Sequence, residues 1–290
     1  MNGHIDENAQ KKYKRETLKR IPSSKTKILN FQESNLLENK FGADLLKGFS
    51  TVNLAHLYFY HYSCESVDDY GWGGAWRSMQ SLLKYQLSVR NKNEDKEKDI
   101  SFYNLFMNFG AKETLIEIYK KMKTNQANSN SLENKVFAPH EIDCGWAEPL
   151  ISQIVLYNFG FEGKLLLVNG YPKHYYAPKE VFEIIINLSE FKELLKKHFI
   201  QENAGPIIMD DGYISISVIG AKIDDENLNM QLIIMDPHAV NEPEKGLYIV
   251  ILDSIEGNLI ELIPNKHVCA SAAVHFSDNK PWMVYVPKSY

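Results

Sequence analysis

Cysteine is scarce in this chain. Cys64, Cys144 and Cys269 are the three in 290 residues, far apart and without a C-x-x-C pair, so neither a disulfide framework nor a zinc knuckle is indicated. Reduced thiols and no bound metal are expected. No apolar run approaches the roughly 20 residues that cross a bilayer, which excludes a transmembrane segment. The opening MNGHIDENAQKKYKRE lacks an apolar centre followed by a small-residue cleavage site, so the expected location is cytoplasmic. No G-x-G-x-x-G or P-loop sequence occurs, which removes support for a nucleotide site, and no cofactor is expected. Charge of one sign is also missing: 32 Lys and Arg against 37 Asp and Glu leave a net −5, which argues against a nucleic-acid surface as the main business of the chain.

What is present is ordinary for a globular fold, 44% hydrophobic and 24% charged. Residues 1–40 stand apart, with Lys11, Lys12, Lys14, Arg15, Lys19, Arg20, Lys25 and Lys27 and few regularly spaced apolar residues. They read as a flexible basic arm, available to an adaptor protein but assigned no function of its own. Residues 41–290 read as one domain. Residues 45–62, ending in YFYHY, are expected to be extended and to lead into the loop SCESVDDYGWGG. A helix opens at those glycines and runs to about Val89, with Trp76, Met79, Leu82, Leu83 and Leu87 at helical spacing. Residues 101–123 read as one further helix and 146–159 as a third, with Pro149 in its first turn. The period then changes: KLLLVNG, GPIIMDD, GYISISVIGAKI, MQLIIMDPH, GLYIVIL and PWMVYVP read as strands, and residues 188–199 as an amphipathic helix. Helices first and antiparallel strands later predict an α+β fold.

Two short stretches carry chemistry. The first is DDYGWGGAWRSMQ, residues 68–80. A thiol hydrolase needs a cysteine at a helix N-terminus, where the peptide dipoles favour the thiolate, together with a histidine base and a group that orients its ring. The loop-to-helix junction is present, but Gly74 stands at the nucleophile position. The second stretch is Asp236-Pro237-His238 after an apolar strand; were the strand to persist, both side chains would share one face. On its own the tripeptide fits better a turn at a strand end with a surface histidine. Other nucleophiles are poorly placed: Cys64 lies ten residues upstream, Ser63 has no base, Ser78 is one turn deeper in the helix, and Cys144 in DCGWAEPL lacks the Arg-Ser-x-Gln continuation.

Together GWGxxxRSxQ opening a helix, YHY before it and DPH late in the chain resemble the ubiquitin-fold modifier-specific cysteine proteases, over about residues 45–290. In that family the first motif is GWGC, a small residue, an aromatic, Arg-Ser, one residue and Gln; here Gly71, Trp72, Gly73, Gly74, Ala75, Trp76, Arg77, Ser78, Met79 and Gln80 hold those places. A family tyrosine about twelve residues before the cysteine falls on Tyr62. The family's apolar strand with a glycine-rich end resembles residues 205–220, and its DPH is Asp236-Pro237-His238. The autophagy-related cysteine proteases share GWGC and DPH and are the nearest competitors; the zinc-finger deubiquitinases, which take their histidine from the preceding strand, fit less well.

The resemblance implies a papain-like fold and a set of roles. His238 would be the general base, Asp236 its orienting carboxylate, and Tyr62 with the backbone N–H of Gly74 the oxyanion donors. Trp72 and Tyr213 would line a cleft for the glycine-terminated tail of a ubiquitin-fold modifier or its conjugates. A partner protein could recruit such a chain to endoplasmic reticulum membranes. The resemblance leaves two classes open, a thiol isopeptidase that processes the modifier or removes it from lysine and a pseudoenzyme or scaffold that only binds it; loss of the nucleophile from such a unit costs on the order of a millionfold in kcat, so a chain with Gly74 is expected to be inactive as written.

Overall fold

The computed structural model describes residues 28–90, 99–123, 147–170, 182, 184–223, 230–239, 243–252 and 281–289. Its centre is a sheet in the order β5 (Ile184–Ile186), β4 (Gly163–Val168), β10 (Trp282–Pro287), β6 (Ile207–Asp210), β7 (Ser215–Ile223), β8 (Met230–Met235) and β9 (Leu247–Leu252), with β2 (Ser50–Thr51) added beside the far half of β7. Every pairing is antiparallel except β4 with β5. The fold is therefore the α+β class read from the order of the elements. Strand β5 was not read from the sequence, because three residues at the edge of a sheet are too few to show a period.

The strands read as near-continuous apolar runs because both faces of the sheet are covered. Leu165, Leu167, Ile208, Met283 and Tyr285 join one core cluster, while their alternating neighbours Leu166, Val168, Ile207, Met209 and Val284 join the other. Helices α4 (Gly74–Arg90) and α7 (Pro149–Asn158) cover the first face; α8 (Leu188–Phe199) covers the second, together with N-terminal pieces. Helix α4 is buried on nearly every side from Gly74 to Leu87, which explains why its sequence lacks a clean polar face. Helix α8 is held at its start by a reciprocal cap: Asn187 accepts from the Glu190 N–H and the Glu190 side chain accepts from the Asn187 N–H.

Three expectations change. The boundary of the basic arm at residue 40 is too late: residues 28–40 hold β1 (Leu29–Asn30), α1 (Phe31–Ser34) and most of α2 (Leu36–Phe41), and Phe31, Leu36 and Leu37 are buried in the core. Neighbouring charge hides so short an apolar set from a periodicity test. Residues 1–27, Cys144, Trp146 and Cys269 lie outside the described residues. Residues 45–62 are not one extended run. They hold the end of α3 (Ala43–Leu46), then β2, a 3₁₀ turn at Leu54–His56 and β3 (Tyr58–Phe59). The helix expected over 101–123 is two, α5 (Phe102–Phe109) and α6 (Lys112–Lys123), divided at Gly110, whose N–H closes the last turn on the Phe106 carbonyl. Among the described residues no helix is long and apolar enough to cross a membrane.

Candidate functional site

The ends of β6 and β8 and the start of β7 lie at one margin of the sheet, where Asp210 pairs with Ser215 and Ser217 with Met235. The N-terminus of α4 points at the same margin. Chain segments far apart in sequence therefore meet at one spot: the end of β3, the opening of α4, the β6–β7 turn and the turn after β8.

The loop from residue 62 to 73 is built to deliver that helix end. It turns through left-handed residues Ser63, Ser66 and Gly71. Asp69, fully buried, accepts from the Ser63 N–H at 2.8 Å and from Arg77 Nε at 2.6 Å, while its carbonyl takes the N–H of Gly73 at 2.8 Å. Arg77 also pairs with Glu65, donates to Gln80 Oε1 at 3.0 Å, and lies over the ring of Phe102. Gln80 donates to Glu65 at 2.8 Å and to the Ile100 carbonyl at 2.9 Å. Arg77 and Gln80 of the motif thus act as a buried clamp on the loop. Gly73 must be glycine because a Cβ there would fall 2.6 Å from the Asp69 side chain.

At the end of that helix a Cβ built on Gly74 would lie 2.6 Å from His238 Nε2 and 3.3 Å from Tyr62 Oη. The imidazole is fixed from behind: Nδ1 is 2.5 Å from Asp236 Oδ1, and the same oxygen accepts the His238 backbone N–H at 3.0 Å. The second Asp236 oxygen accepts from Tyr248 at 3.4 Å. Asp236 is buried and His238 about one-sixth exposed. The tripeptide forms the turn at a strand end that its sequence fits, and the strand alternative does not hold: β8 ends at Met235, and the two side chains meet because the carboxylate caps that turn. Gly246 permits that turn to approach, since a Cβ there would sit 2.3 Å from the Asp236 carbonyl.

The Tyr62 ring meets His238 edge-on at 5.1 Å. Burial first, then the charges of Asp69 and Asp236, push its phenol above the usual range, while N–H groups of Gly74 and Gly71 directed at the oxygen act the other way. It stays a protonated donor at neutral pH. Trp72 and the exposed Tyr213 flank a narrow cleft of about 50 Å³ that Tyr62, Gly74 and His238 also line.

The other nucleophile candidates are elsewhere. Ser78 is buried and donates to the Ser215 carbonyl at 3.4 Å. Burial pushes the Cys64 thiol up to about 11, opposite to what a nucleophile needs. Among the described residues no cluster of His, Cys, Asp or Glu is arranged to hold a metal ion.

No protein-family model matches the chain, and no curated protein matches it either. Among solved structures, the crystal structure of a UfSP from C. elegans is similar over 83% of this chain and 34% of that one, at 14% identity and a TM-score of 0.47. The chain spans about a third of that protein's length, and neither activity nor substrate follows from a likeness at that level.

One cleft residue has no counterpart among the sequence candidates. Asp210, 6% exposed at the end of β6, accepts the Gly212 N–H at 2.7 Å, and burial pushes its carboxyl up to about 7, with Asp211 adding to the rise and His238 opposing it. Its sequence signal is an Asp-Asp-Gly turn at a strand end, which reads as loop chemistry. Its place on the strand, two residues after the α4-facing Ile208, is what turns it into the cleft.

Proposed function

We propose that this chain is a homologue of the ubiquitin-fold modifier-specific cysteine proteases in which Gly74 has replaced the nucleophile, and that it acts as a non-catalytic module holding the tail of a ubiquitin-like modifier. The observation that carries this reading is the alignment at Gly74: an imidazole nitrogen 2.6 Å from the Cβ position, a carboxylate behind the ring, and a tyrosine hydroxyl beside it. Those three groups have no packing reason to converge on one helix N-terminus, whereas base, orienting acid and oxyanion donor have a chemical one. In this papain-like arrangement His238 is the base, Asp236 fixes its orientation, and Tyr62 with the Gly74 N–H would meet a carbonyl oxygen. Trp72 and Tyr213 restrict the entrance to an unbranched segment such as a run of glycines.

Without a thiol the unit retains binding and loses turnover. The test is titration of the full chain with a ubiquitin-fold modifier ending in its mature glycine and with the same modifier lacking its last residues. Saturable binding that needs the tail supports the reading. Equal affinity for both forms, or none for either, refutes it.

A further inference from the structure

The cleft holds a buried carboxyl group that the protease reading does not use. Asp210 is nine-tenths buried, and among the described residues no Lys or Arg forms an ion pair with it. Among the described residues no Lys or Arg lines the cleft either. The groups that face it are His238 from the turn after β8, Glu148 at the entrance of α7, Asp211 and Tyr213 from the β6–β7 turn, and Tyr62 from the end of β3, while the Gly212 N–H and the Ser215 hydroxyl, neutral hydrogen-bonding groups, favour the ionised carboxylate without bringing a charge. Acid outweighs base in that set. An ionised carboxylate buried without a full cationic partner is unfavourable, and a ligand that brings the cation relieves it.

Shape narrows the class. A narrow cleft of about 50 Å³ has room for a few waters or a small polar head with its last methylenes. Trp72 and Tyr213 supply aromatic walls of the kind that attract an ammonium. We propose that this cleft is a subsite for a primary ammonium group, with Asp210 as its counter-ion and Trp72 and Tyr213 as its walls. The inference rests on the cleft itself and extends the reading above: a lysine side chain, or the amino terminus of a peptide, would be seated beside the place where a modifier tail ends.

The experiment is calorimetric titration of the full chain at pH 7.5 and pH 5.5 with three probes: Nα-acetyl-lysine N-methylamide, glycine N-methylamide, and the uncharged norleucine counterpart of the first. Saturable binding of at least one amine is expected, with none by the norleucine compound. The affinity is expected to fall about tenfold or more between pH 7.5 and pH 5.5, as Asp210 takes up its proton, and by a similar factor in D210N at pH 7.5. Preference for the lysine probe assigns the subsite to a side chain, and preference for the glycine probe to a chain terminus. Should D210N fail to fold, the pH ratio of the unmodified chain decides. Norleucine binding equal to lysine, affinity unchanged between the two pH values, D210N binding like the unmodified chain, or no saturation by either amine overturns the proposal. Amine binding and modifier binding are read separately, so failure of one leaves the other standing.

Discussion

Tyr62 donates its backbone N–H to the carbonyl of Pro237 across 3.0 Å, so the residue that flanks the helix opening is bonded directly to the turn that presents His238. One hydrogen bond thereby fixes the spacing of two groups 175 positions apart. The ring contact between Tyr62 and His238 then follows from the backbone, not from side-chain flexibility.

The clamp under the loop is expected to carry stability. Arg77 and Asp69 are both fully buried, and removing one member of a buried pair leaves an uncompensated charge, a loss of about 3–5 kcal/mol. R77M should lower the urea midpoint accordingly. R77M together with D69N should recover part of that loss, whereas additive losses would show that the two residues do not act as a pair.

Substituting alanine at Gly73 should be costly for a different reason. Its Cβ would meet the Asp69 side chain at 2.6 Å, so the loop must shift and α4 loses its anchor; a loss of about 1–3 kcal/mol is expected. At Gly71, whose Cβ position is open, alanine is disfavoured only by its left-handed backbone, and the loss should be about 1 kcal/mol. Chemical denaturation of both variants checks the order.

Asp210 sets a pH dependence of folding. Its carboxyl is raised from the model-peptide range to about 7 in the folded state, so between about pH 4 and pH 7 the folded chain holds a proton that the unfolded chain has released. Stability contributed by that proton is present at low pH and declines as pH rises through the folded value, each tenfold difference in proton affinity being worth about 1.4 kcal/mol. D210N should flatten this decline and be more stable than the unmodified chain at pH 8. Thermal unfolding at pH 5 and pH 8 measures it; an unchanged slope would show that Asp210 is not the group responsible.

The strands and α4 were legible because their apolar runs are long and both faces of the sheet are covered, so burial repeats the pattern several times. Short elements were not: β5, α1 and the 3₁₀ turn at Leu54–His56 each depend on neighbours distant in the chain. For the candidate site, Tyr62, Gly74, Asp236 and His238 were singled out by the resemblance to a family's motifs. The reason Asp236 meets His238 was not legible, since a turn at a strand end does not by itself show that the carboxylate caps it and holds the ring. Asp210 was missed altogether because a carboxylate beside glycine reads as solvated turn until β6 and β7 bury it.

The central claim is that the helix opening at Gly74 retains the surroundings of a thiol nucleophile, and alkylation of G74C by iodoacetamide across pH 5 to 9 tests it most directly. His238 Nε2 must withdraw slightly to admit the new Cβ and is then placed to accept the thiol proton, while the dipole of α4 favours the thiolate. The account predicts that the new thiol reacts with an apparent pKa at least one unit below the usual 8.5, that H238A removes most of that depression, and that G74C cleaves a modifier-fused reporter which the unmodified chain leaves intact. A thiol at position 74 with an ordinary pKa, unmoved by H238A, would contradict it.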